Sequence, residues 1–273
     1  MRTLYVSDLD GTLLNRADRL SAYSCAALNT LIRGGMLFTY ATARSLDSAA
    51  KVTAGLRLRA PVIVYNGAFI RDPSTGGVLR RASFPPGAAE RAARFLLARE
   101  IYPLVYSFVD GMERVSWLVG RESAGMLHYL RSRAGDRRLR PVRDVRRLYA
   151  GDVFYLTCIG TQKELRPVAA RFADDGDFVR TFQQELYREE YWCELMPAQA
   201  TKAHAVQALR GMLGCGRTVV FGDAVNDLPM FEAADDCYAP CGAAPAVRAR
   251  ALGILPANEE DGVARFLARH FRP

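Results

Sequence analysis

The sequence predicts an α/β fold in which a doubly wound parallel sheet is interrupted by an inserted α+β domain. Strands and helices alternate in the first third of the chain and again in the last third. That alternation is typical of parallel strands joined by crossover helices. The middle third instead places strands next to each other, with turn residues between them, which is typical of an antiparallel sheet. A chain of 273 residues is long enough for both parts.

In the first third, β-forming runs alternate with segments that carry apolar residues at helical spacing. The predicted elements are strands at 4–7, 36–41 and 61–65 and helices at 21–33 and 45–54. The glycines at positions 34 and 35 end the first helix, and Ser45 suits the N-cap of the second. This order predicts the start of a parallel sheet.

The middle third begins after a linker at 84–87 that contains two prolines and a glycine. The Asp110-Gly111 pair is a hairpin signal between two strands. The predicted elements here are helices at 88–99, 123–133 and 163–172 and strands at 104–109, 113–119, 153–159, 178–182 and 191–195. Their order predicts an α+β domain with a largely antiparallel sheet.

The parallel pattern returns after Met196-Pro197-Ala198, and Thr201 suits the N-cap of the next helix. The predicted elements are helices at 201–213, 227–234, 244–251 and 259–270 and strands at 218–221, 237–239 and 253–255. We therefore expect one discontinuous core domain at 1–81 and 195–273 and an inserted domain at 82–194.

Charge and cysteine content narrow the classes of function. The formal net charge of +8 comes almost entirely from arginine, and residues 131–147 hold eight arginines against two aspartates. This stretch lacks the interleaved aromatic residues that stack on bases, so we interpret it as a solvated basic face and expect no nucleic-acid partner. The six cysteines show no metal-binding spacing, which favours reduced thiols and a cytoplasmic location. We expect no leader peptide and no membrane span.

Polar side chains follow the predicted strands of the core domain. Asp8 and Asp10 follow the first strand, Thr42 follows the second, and Asp223 and Asp227 follow a late one. Open α/β sheets bind ligands beyond the carboxyl ends of their strands, so these groups should converge there. Several carboxylates in one place suit a hard cation such as Mg²⁺, and the absence of histidine and cysteine from the set argues against zinc.

Four motifs carry a resemblance to a known family. They are DLDGTLL at 8–14, ATARS at 41–45, TKAHAV at 201–206 and GDAVNDLPM at 222–230, and the segment YNGA at 65–68 adds to them. In order and spacing the chain resembles the haloacid dehalogenase-like (HAD) phosphohydrolases. The resemblance is to the Cof-type group, which has a Rossmann-like core and a C2-type α/β cap inserted between the second and third motifs. It covers the whole core domain.

The resemblance implies a catalytic pair and a metal site. Asp8 would be the nucleophile that forms an aspartyl-phosphate, and Asp10 would protonate the leaving oxygen and then activate water. Haloacid dehalogenases themselves lack the second acid, so Asp10 favours phosphate chemistry. Asp8, the backbone carbonyl of Asp10 and Asp223 would hold Mg²⁺, with Asp227 supporting the site from close by.

The resemblance also implies a phosphate cradle. The amides of Leu9 and Ala43, the Thr42 hydroxyl, Lys202 and Asn226 would hydrogen-bond phosphate oxygens. Lys202 is one of only three lysines in the chain, and it lies at a predicted helix start, where a compact charge suits phosphate. Two further residues, Arg44 and Asn66, are candidates for positioning the substrate.

Each assignment has a simpler alternative. The two acids after the first strand could be solvated loop residues, Thr42 could only satisfy backbone groups, and Lys202 could be an exposed helix residue. Asp227 could merely cap the following helix. Ala43 stands where the family usually has glycine, and Ala224 replaces a usual glycine or serine, but neither change removes a functional group.

The expected activity is Mg²⁺-dependent hydrolysis of a small phosphomonoester, such as a sugar phosphate, by a monomer or weak homodimer. A phosphomutase of the same fold is one alternative, and a non-catalytic phosphate-binding regulator is another. The intact pair of Asp8 and Asp10 counts against the regulator, because binding phosphate requires no nucleophile. The motifs leave the identity of the substrate to the inserted domain.

Overall fold

The computed structural model describes residues 2–184 and 189–272. The chain divides into two compact units, of which the first combines Met1–Arg81 with Ala200–Pro273 and the second is Ala82–Gln199. The predicted α/β fold with an inserted α+β domain is confirmed. None of the helices in the described ranges is both long enough and apolar enough to cross a membrane.

The first unit is built on a parallel sheet of five strands in the order β14-β13-β12-β1-β2. Its strands are β1 (Thr3–Ser7), β2 (Leu37–Tyr40), β12 (Arg217–Phe221), β13 (Asp236–Pro240) and β14 (Gly253–Leu255). Its helices are α1 (Ala22–Arg33), α2 (Leu46–Val52), α7 (Lys202–Met212), α8 (Leu228–Ala233), α9 (Pro245–Arg248) and α10 (Gly262–His270). β1 lies between β12 and β2, so the strand that precedes Asp8 is at the centre of the sheet.

The third predicted strand of the parallel sheet is placed differently. β3 (Val62–Val64) forms a separate antiparallel sheet with β4 (Phe69–Arg71) and β5 (Val78–Arg81). Among the described residues, the only parallel pairing between β3 and the segment that contains β2 is a single bridge, from Ala41 to Ile63. The reason is the tight turn at Tyr65–Gly67, which sends the chain back as a hairpin instead of into a crossover helix.

The second unit contains a six-stranded mixed sheet in the order β10-β11-β9-β6-β7-β8. Its strands are β6 (Leu104–Val109), β7 (Met112–Leu118), β8 (Leu139–Val142), β9 (Asp152–Gly160), β10 (Phe178–Gln184) and β11 (Tyr191–Pro197). Its helices are α3 (Ala88–Leu97), α4 (Ala124–Ser132), α5 (Val145–Leu148) and α6 (Gln162–Arg171). One face of the sheet packs on α3 and α6 through Leu96, Leu165 and Val168.

The arginine-rich stretch at 131–147 holds two elements that the sequence did not predict. β8 pairs in parallel with β7 at the edge of the sheet, and α5 follows it as one turn. Proline at position 141 is tolerated because β8 is an edge strand. The four residues of β8, LRPV, do not alternate between apolar and polar side chains, so the pattern by which a strand is recognised is absent.

Three predicted helices near the C-terminus are shorter than expected. The predicted helix at 244–251 is the single turn α9, and those at 227–234 and 259–270 each begin with a 3₁₀ turn, Val225–Asp227 and Asn258–Glu260. Pro245 and Gly262, at the first positions of α9 and α10, explain two of the later starts.

The backbone of Gly67 lies close to the backbone of Thr201, so a larger residue at position 67 should destabilise the first unit. A Cβ atom at this position would lie 2.2 Å from the carbonyl oxygen of Thr201, and φ is +98°. Gly35 is a matched control in the same unit, because φ is +97° there and no atom lies within 4 Å of the Cβ position. Gly35→Ala should cost about 1–2 kcal/mol of unfolding free energy from backbone strain. Gly67→Ala should cost at least about 2 kcal/mol more, because the α7 backbone must move.

Urea unfolding of both variants, followed by a signal from the first unit, measures the difference. Equal losses of stability in the two variants would contradict the proposed clash at Gly67.

Candidate active site

Strand ends bring the motif carboxylates together. Asp8 follows β1 and Asp223 follows β12, and these two strands are parallel neighbours, so their carboxyl ends lie at the same edge of the sheet. The Asp8 amide donates to the Phe221 carbonyl at 2.8 Å, which extends the pairing up to the first acid. Position in the sheet therefore forces two acids that are distant in sequence into one place.

Asp8, Asp223 and Asp227 form a cluster in which one carboxylate oxygen of each lies within 4.8 Å of the others. Asp8 and Asp227 are buried, and Asp223 is half-buried. Buried carboxylates repel each other unless cations compensate them, and oxygen ligands at this spacing are the donor set of a hard divalent cation. The residues present therefore fit a divalent metal.

Lys202 is buried inside this cluster. Its ammonium group donates to Asp8 Oδ1 at 2.6 Å and to Asp227 Oδ1 at 2.7 Å, and the residue is 3% exposed. It is the first residue of α7, whose N-cap is Thr201. The simpler interpretation of Lys202 as an exposed helix residue is therefore wrong.

The protonation equilibria of the cluster follow from burial and mutual repulsion. Burial raises the pKa of Asp8 well above its usual range, Lys202 opposes this, and Asp227 and Asp223 add to it. Burial also raises the pKa of Asp223 to about 6. For Lys202, burial lowers the pKa, but the attraction of Asp227 and Asp8 outweighs burial and raises it overall. One lysine thus leaves the site short of positive charge.

Both carboxylate oxygens of Asp227 accept hydrogen bonds. Its Oδ2 accepts the backbone amides of Asp223 at 3.0 Å and Ala224 at 3.1 Å, while its Oδ1 accepts from Lys202. The carboxylate thus binds backbone amides that precede it in the chain, before the 3₁₀ turn Val225–Asp227, as well as Lys202. A Cβ atom at Gly222 would lie 2.6 Å from the Asp227 carboxyl carbon, so only glycine fits there.

Gly11 and Thr12 support Asp223, and the sequence reasoning assigned neither of them to the site. Thr12 Oγ1 donates to Asp223 Oδ1 at 2.8 Å. A Cβ atom at Gly11 would lie 2.2 Å from Asp223 Oδ2, and φ is +74°. The glycine therefore lets the Asp223 carboxylate approach the loop after β1. The signal was present, since a glycine and a hydroxyl residue directly follow the paired acids.

Asp10 lies outside the acid cluster and binds Arg44. Arg44 Nε donates to Asp10 Oδ2 at 2.9 Å, and Nη2 donates to Asp10 Oδ1 at 2.6 Å and also to Asp18. The hydrogen bond that Arg44 donates to Asp10 raises the pKa of Arg44 against the effect of burial. Sequence reasoning named Arg44 but missed Asp18 and the bidentate pair.

The loop after β2 places Thr42 and Ala43 beside this pair. Thr42 is fully buried, its hydroxyl accepts the Arg44 amide at 3.2 Å, and its carbonyl accepts the Asn66 amide at 2.9 Å. Ala43 is exposed. The hydroxyl therefore does bind backbone, as the simpler alternative stated. Leu9 is buried, and its carbonyl accepts the amides of the turn that follows Asp10.

Asn66 lies in a turn with unusual backbone geometry. Tyr65, Asn66 and Gly67 have φ values of 51°, 52° and 98°, so three consecutive residues are left-handed. The Asn226 amide group donates to Asn66 Oδ1 at 3.4 Å. The turn thus joins the loop after β2, the start of α7 and the loop after β12, and these three segments contain Thr42, Lys202 and Asn226.

Comparisons with known proteins show which proteins the chain is similar to. A family model described as haloacid dehalogenase-like hydrolase matches residues 5–267. The 5-amino-6-(5-phospho-D-ribitylamino)uracil phosphatase YwtE of Bacillus subtilis is 25% identical over 288 positions, covering 95% of each chain. The HMP-PP phosphatase of Serratia proteamaculans is 26% identical over 288 positions, covering 100% of this chain and 96% of the relative.

A solved structure has the same fold. A haloacid dehalogenase-like hydrolase from Bacteroides thetaiotaomicron superimposes with a TM-score of 0.80 at 22% identity, covering 99% of this chain and 100% of that one. The agreement extends over both units of the chain.

Asp223 yields a prediction about pH. Because its folded pKa is raised to about 6 from 3.8, the folded state holds the proton more tightly than the unfolded state. This contribution to stability is complete below about pH 4 and is lost as the pH rises through about 6. In metal-free protein, Asp223→Asn should therefore flatten the fall in unfolding free energy between pH 4 and 6. A residual slope from Asp8 should remain.

Unfolding by urea at several pH values, with excess chelator, measures this slope. A saturating divalent cation serves as the control, because it favours ionised carboxylates and should flatten the wild-type curve as well. Parallel curves for the wild type and Asp223→Asn would contradict the assignment.

Proposed function

Because this chain belongs to the haloacid dehalogenase-like hydrolases and is a phosphatase of that family, we propose that it hydrolyses small phosphomonoesters in two steps. The observation that carries the proposal is the buried Asp8 carboxylate, held at one oxygen by Lys202 at 2.6 Å. A carboxylate that is desolvated and fixed in direction can act as a nucleophile. The two steps are formation of an aspartyl-phosphate on Asp8 and its hydrolysis.

In the first step, Asp8 attacks phosphorus and the bond to the leaving oxygen breaks. Lys202 occupies Oδ1, and no described residue donates a hydrogen bond to Oδ2, which supports Oδ2 as the attacking atom. Asp10 gives its proton to the leaving oxygen. In the second step, Asp10 takes a proton from water, the water oxygen attacks phosphorus, and Asp8 is released with inorganic phosphate.

Arg44 bears on the role of Asp10. The bidentate pair fixes the direction of the Asp10 carboxylate in the loop after β1, as a general acid requires. Asp18 shares the same guanidinium, so Arg44 can keep one partner while Asp10 exchanges a proton. Arg44 thereby positions Asp10, in addition to the substrate-positioning role that the sequence suggested for it.

The phosphoryl group would lie among the cradle residues of the loops after β1, β2 and β12. The proposed donors are the Thr42 hydroxyl, the amides of Leu9 and Ala43, the Lys202 ammonium and the Asn226 amide group. Asn66 binds Asn226 and so would orient that donor. Donors fixed in this way stabilise developing charge without reorganising.

We propose Mg²⁺ as the divalent cation. Asp8, Asp223 and the Asp10 carbonyl would hold it, with Asp227 in support, and the spacing of three carboxylates supports this. When bound, the ion supplies positive charge that neutralises phosphate oxygens and orients them for attack. It also supplies the charge that one lysine leaves missing.

The relatives support the substrate class. One is named a phosphatase of a phosphorylated ribitylamino-uracil and another an HMP-PP phosphatase, so both names specify small phosphorylated compounds. We propose a sugar phosphate or a similar metabolite as the substrate, with the second unit as the domain that selects it. We further propose a cytoplasmic monomer or weak homodimer, and the six free cysteines support that location.

Replacement of the nucleophile gives a prediction. Asp8→Asn should abolish release of phosphate from phenyl phosphate, while the thermal midpoint of metal-free protein should stay equal or rise. The reason is that the asparagine oxygen still accepts from Lys202, while one repelling charge is removed. Asp227→Asn is the contrasting variant, because it weakens the bonds to Lys202 and two backbone amides, and it should lower the midpoint.

Phosphate release and differential scanning calorimetry measure the two effects. Near-normal turnover by Asp8→Asn would rule out the covalent mechanism. Conversion of a sugar phosphate into its positional isomer without release of phosphate would identify a phosphomutase. A wild type without activity on any phosphate ester would favour a regulator.

The metal gives a further prediction. Chelation should remove activity, and Mg²⁺ should restore it at least about tenfold better than Ca²⁺ does. Ca²⁺ takes more ligands at longer distances, which would displace the Asp8 carboxylate from its line of attack. Steady-state rates after dialysis against chelator measure this, and equal rates in excess chelator would refute the proposed metal.

A further inference from the structure

A basic cavity lies in the second unit, within the arginine-rich stretch at 131–147 that the proposed function does not use. Its volume is about 500 Å³, which is in the range of about 300–1,000 Å³ that is typical of small-molecule sites. The residues that line it are Arg140, Pro141, Val142, Arg143, Asp144 and Arg147. They come from β8, from α5 and from the link between these two elements, so one short segment of the second unit forms the lining.

Two hydrogen bonds fix the guanidinium group of Arg140. Its Nη1 donates to Ser116 Oγ at 3.2 Å and to the backbone carbonyl of Arg147 at 3.0 Å. Ser116 lies opposite Arg140 in the pairing of β7 with β8, and Arg147 belongs to α5, so this side chain joins the edge strand to the helical turn. Neither acceptor is charged, and within the described ranges Nε and Nη2 of Arg140 donate to no residue. The group is therefore held in place with its charge uncompensated and with donors left for a ligand.

The single acid of the cavity does not compensate its arginines. Asp144 Oδ2 accepts from Nη2 of Arg146 at 2.8 Å and from Nε at 3.1 Å, and Arg146 does not line the cavity. Arg143 and Arg147 are exposed, and neither forms an ion pair with any residue that the structure describes. With Asp144 neutralised by Arg146, the positive charges of Arg140, Arg143 and Arg147 remain around one cavity.

The charge and shape of this cavity indicate the class of ligand. Neighbouring guanidinium groups repel each other, and a bound anion with several charges removes that repulsion. The planar fork of arginine matches two oxygens of a phosphate group, and three such forks suit linked phosphates better than a single one. No aromatic ring lines the cavity, so it offers no surface on which a base could stack. These features favour a small ligand with a diphosphate group over a single-stranded nucleic acid.

We propose that Arg140, Arg143 and Arg147 bind the diphosphate group of a small ligand in this cavity, either inorganic pyrophosphate or a nucleoside diphosphate. Arg140 supplies a fixed guanidinium group, and the two exposed arginines close on the outer phosphate oxygens. The cavity binds this ligand and does not hydrolyse it, because its one carboxylate is paired with Arg146 and is not available as a nucleophile. The proposal is independent of the phosphatase activity, since binding is measured without turnover.

Calorimetric titration of the full chain with pyrophosphate in excess chelator tests the proposal. Without a metal, the acid cluster around Lys202 is short of positive charge and repels polyphosphate, so the titration reports on the basic cavity. The wild type should bind one pyrophosphate per chain. Arg143→Gln and Arg147→Gln should each weaken binding about tenfold, the effect of losing one charge-assisted hydrogen bond. Both side chains are exposed, and glutamine at position 147 keeps the carbonyl that Arg140 needs.

Arg137→Gln is the matched control, because Arg137 is an exposed arginine of the same stretch that does not line the cavity. This variant has the same net charge as the other two and should bind pyrophosphate within about twofold of the wild type. Equal weakening in all three variants would mean attraction to the whole basic stretch and would overturn the proposal. A wild type that shows no saturable binding would also overturn it.

Further titrations distinguish the two sources of the diphosphate group. If pyrophosphate and ADP bind with affinities within about threefold of each other, the diphosphate group alone is recognised, whereas ADP at least about tenfold tighter would identify a nucleoside diphosphate. Adenosine should not bind, and adenosine as tight as ADP would overturn the proposal. A short oligouridylate that binds more tightly than either diphosphate and loses affinity in Arg143→Gln would identify a nucleic-acid surface and overturn it as well.

Discussion

The buried ammonium group of Lys202 is the interaction on which the candidate site depends. It binds Asp8, at the end of the central strand, and Asp227, which follows a neighbouring strand, and it does so where water is excluded. Removing one partner of a buried ion pair usually costs more than the pair itself contributes, so the three segments are held in one arrangement. One ammonium group cannot balance Asp8, Asp223 and Asp227 together. Burial, with repulsion between the carboxylates added to it, raises the pKa of Asp8 and Asp223. The uncompensated negative charge favours the binding of a cation.

The left-handed turn at Tyr65–Gly67 is the second constraint, and it acts through backbone geometry. Its amides bind the carbonyls of Arg44 and Thr42, and Gly67 lies against the backbone of Thr201. A left-handed tyrosine is unfavourable in isolation, so the surrounding contacts must compensate for it. The strained turn therefore holds the loop that contains Thr42 at a fixed distance from the helix that contains Lys202.

The sequence predicted best those features that follow from the position of a residue relative to a strand. Strand alternation and the paired acids predicted the central sheet and the convergence of Asp8 and Asp223, because parallel strands share one carboxyl edge. Sequence reasoning could not predict the Arg44–Asp10–Asp18 contacts, since a bidentate ion pair depends on side-chain direction, which has no period along the chain. It also missed β8, whose four residues, LRPV, show no alternation of apolar and polar side chains.

The second unit is inserted in the chain between strands of the central sheet, and this order determines when the acid cluster can form during synthesis. β1 pairs with β12, and Thr12 binds a residue 211 positions further along the chain. The inserted unit is continuous and lies between β1 and β12 in the chain. A growing chain can therefore complete that unit while the side of β1 that pairs with β12 is still unpaired. Closing so long a loop is slow, and an unpaired parallel strand is exposed to wrong partners until then. The three carboxylates of the acid cluster therefore cannot meet until Asp227 has left the ribosome, so a chain that ends earlier lacks the assembled cluster.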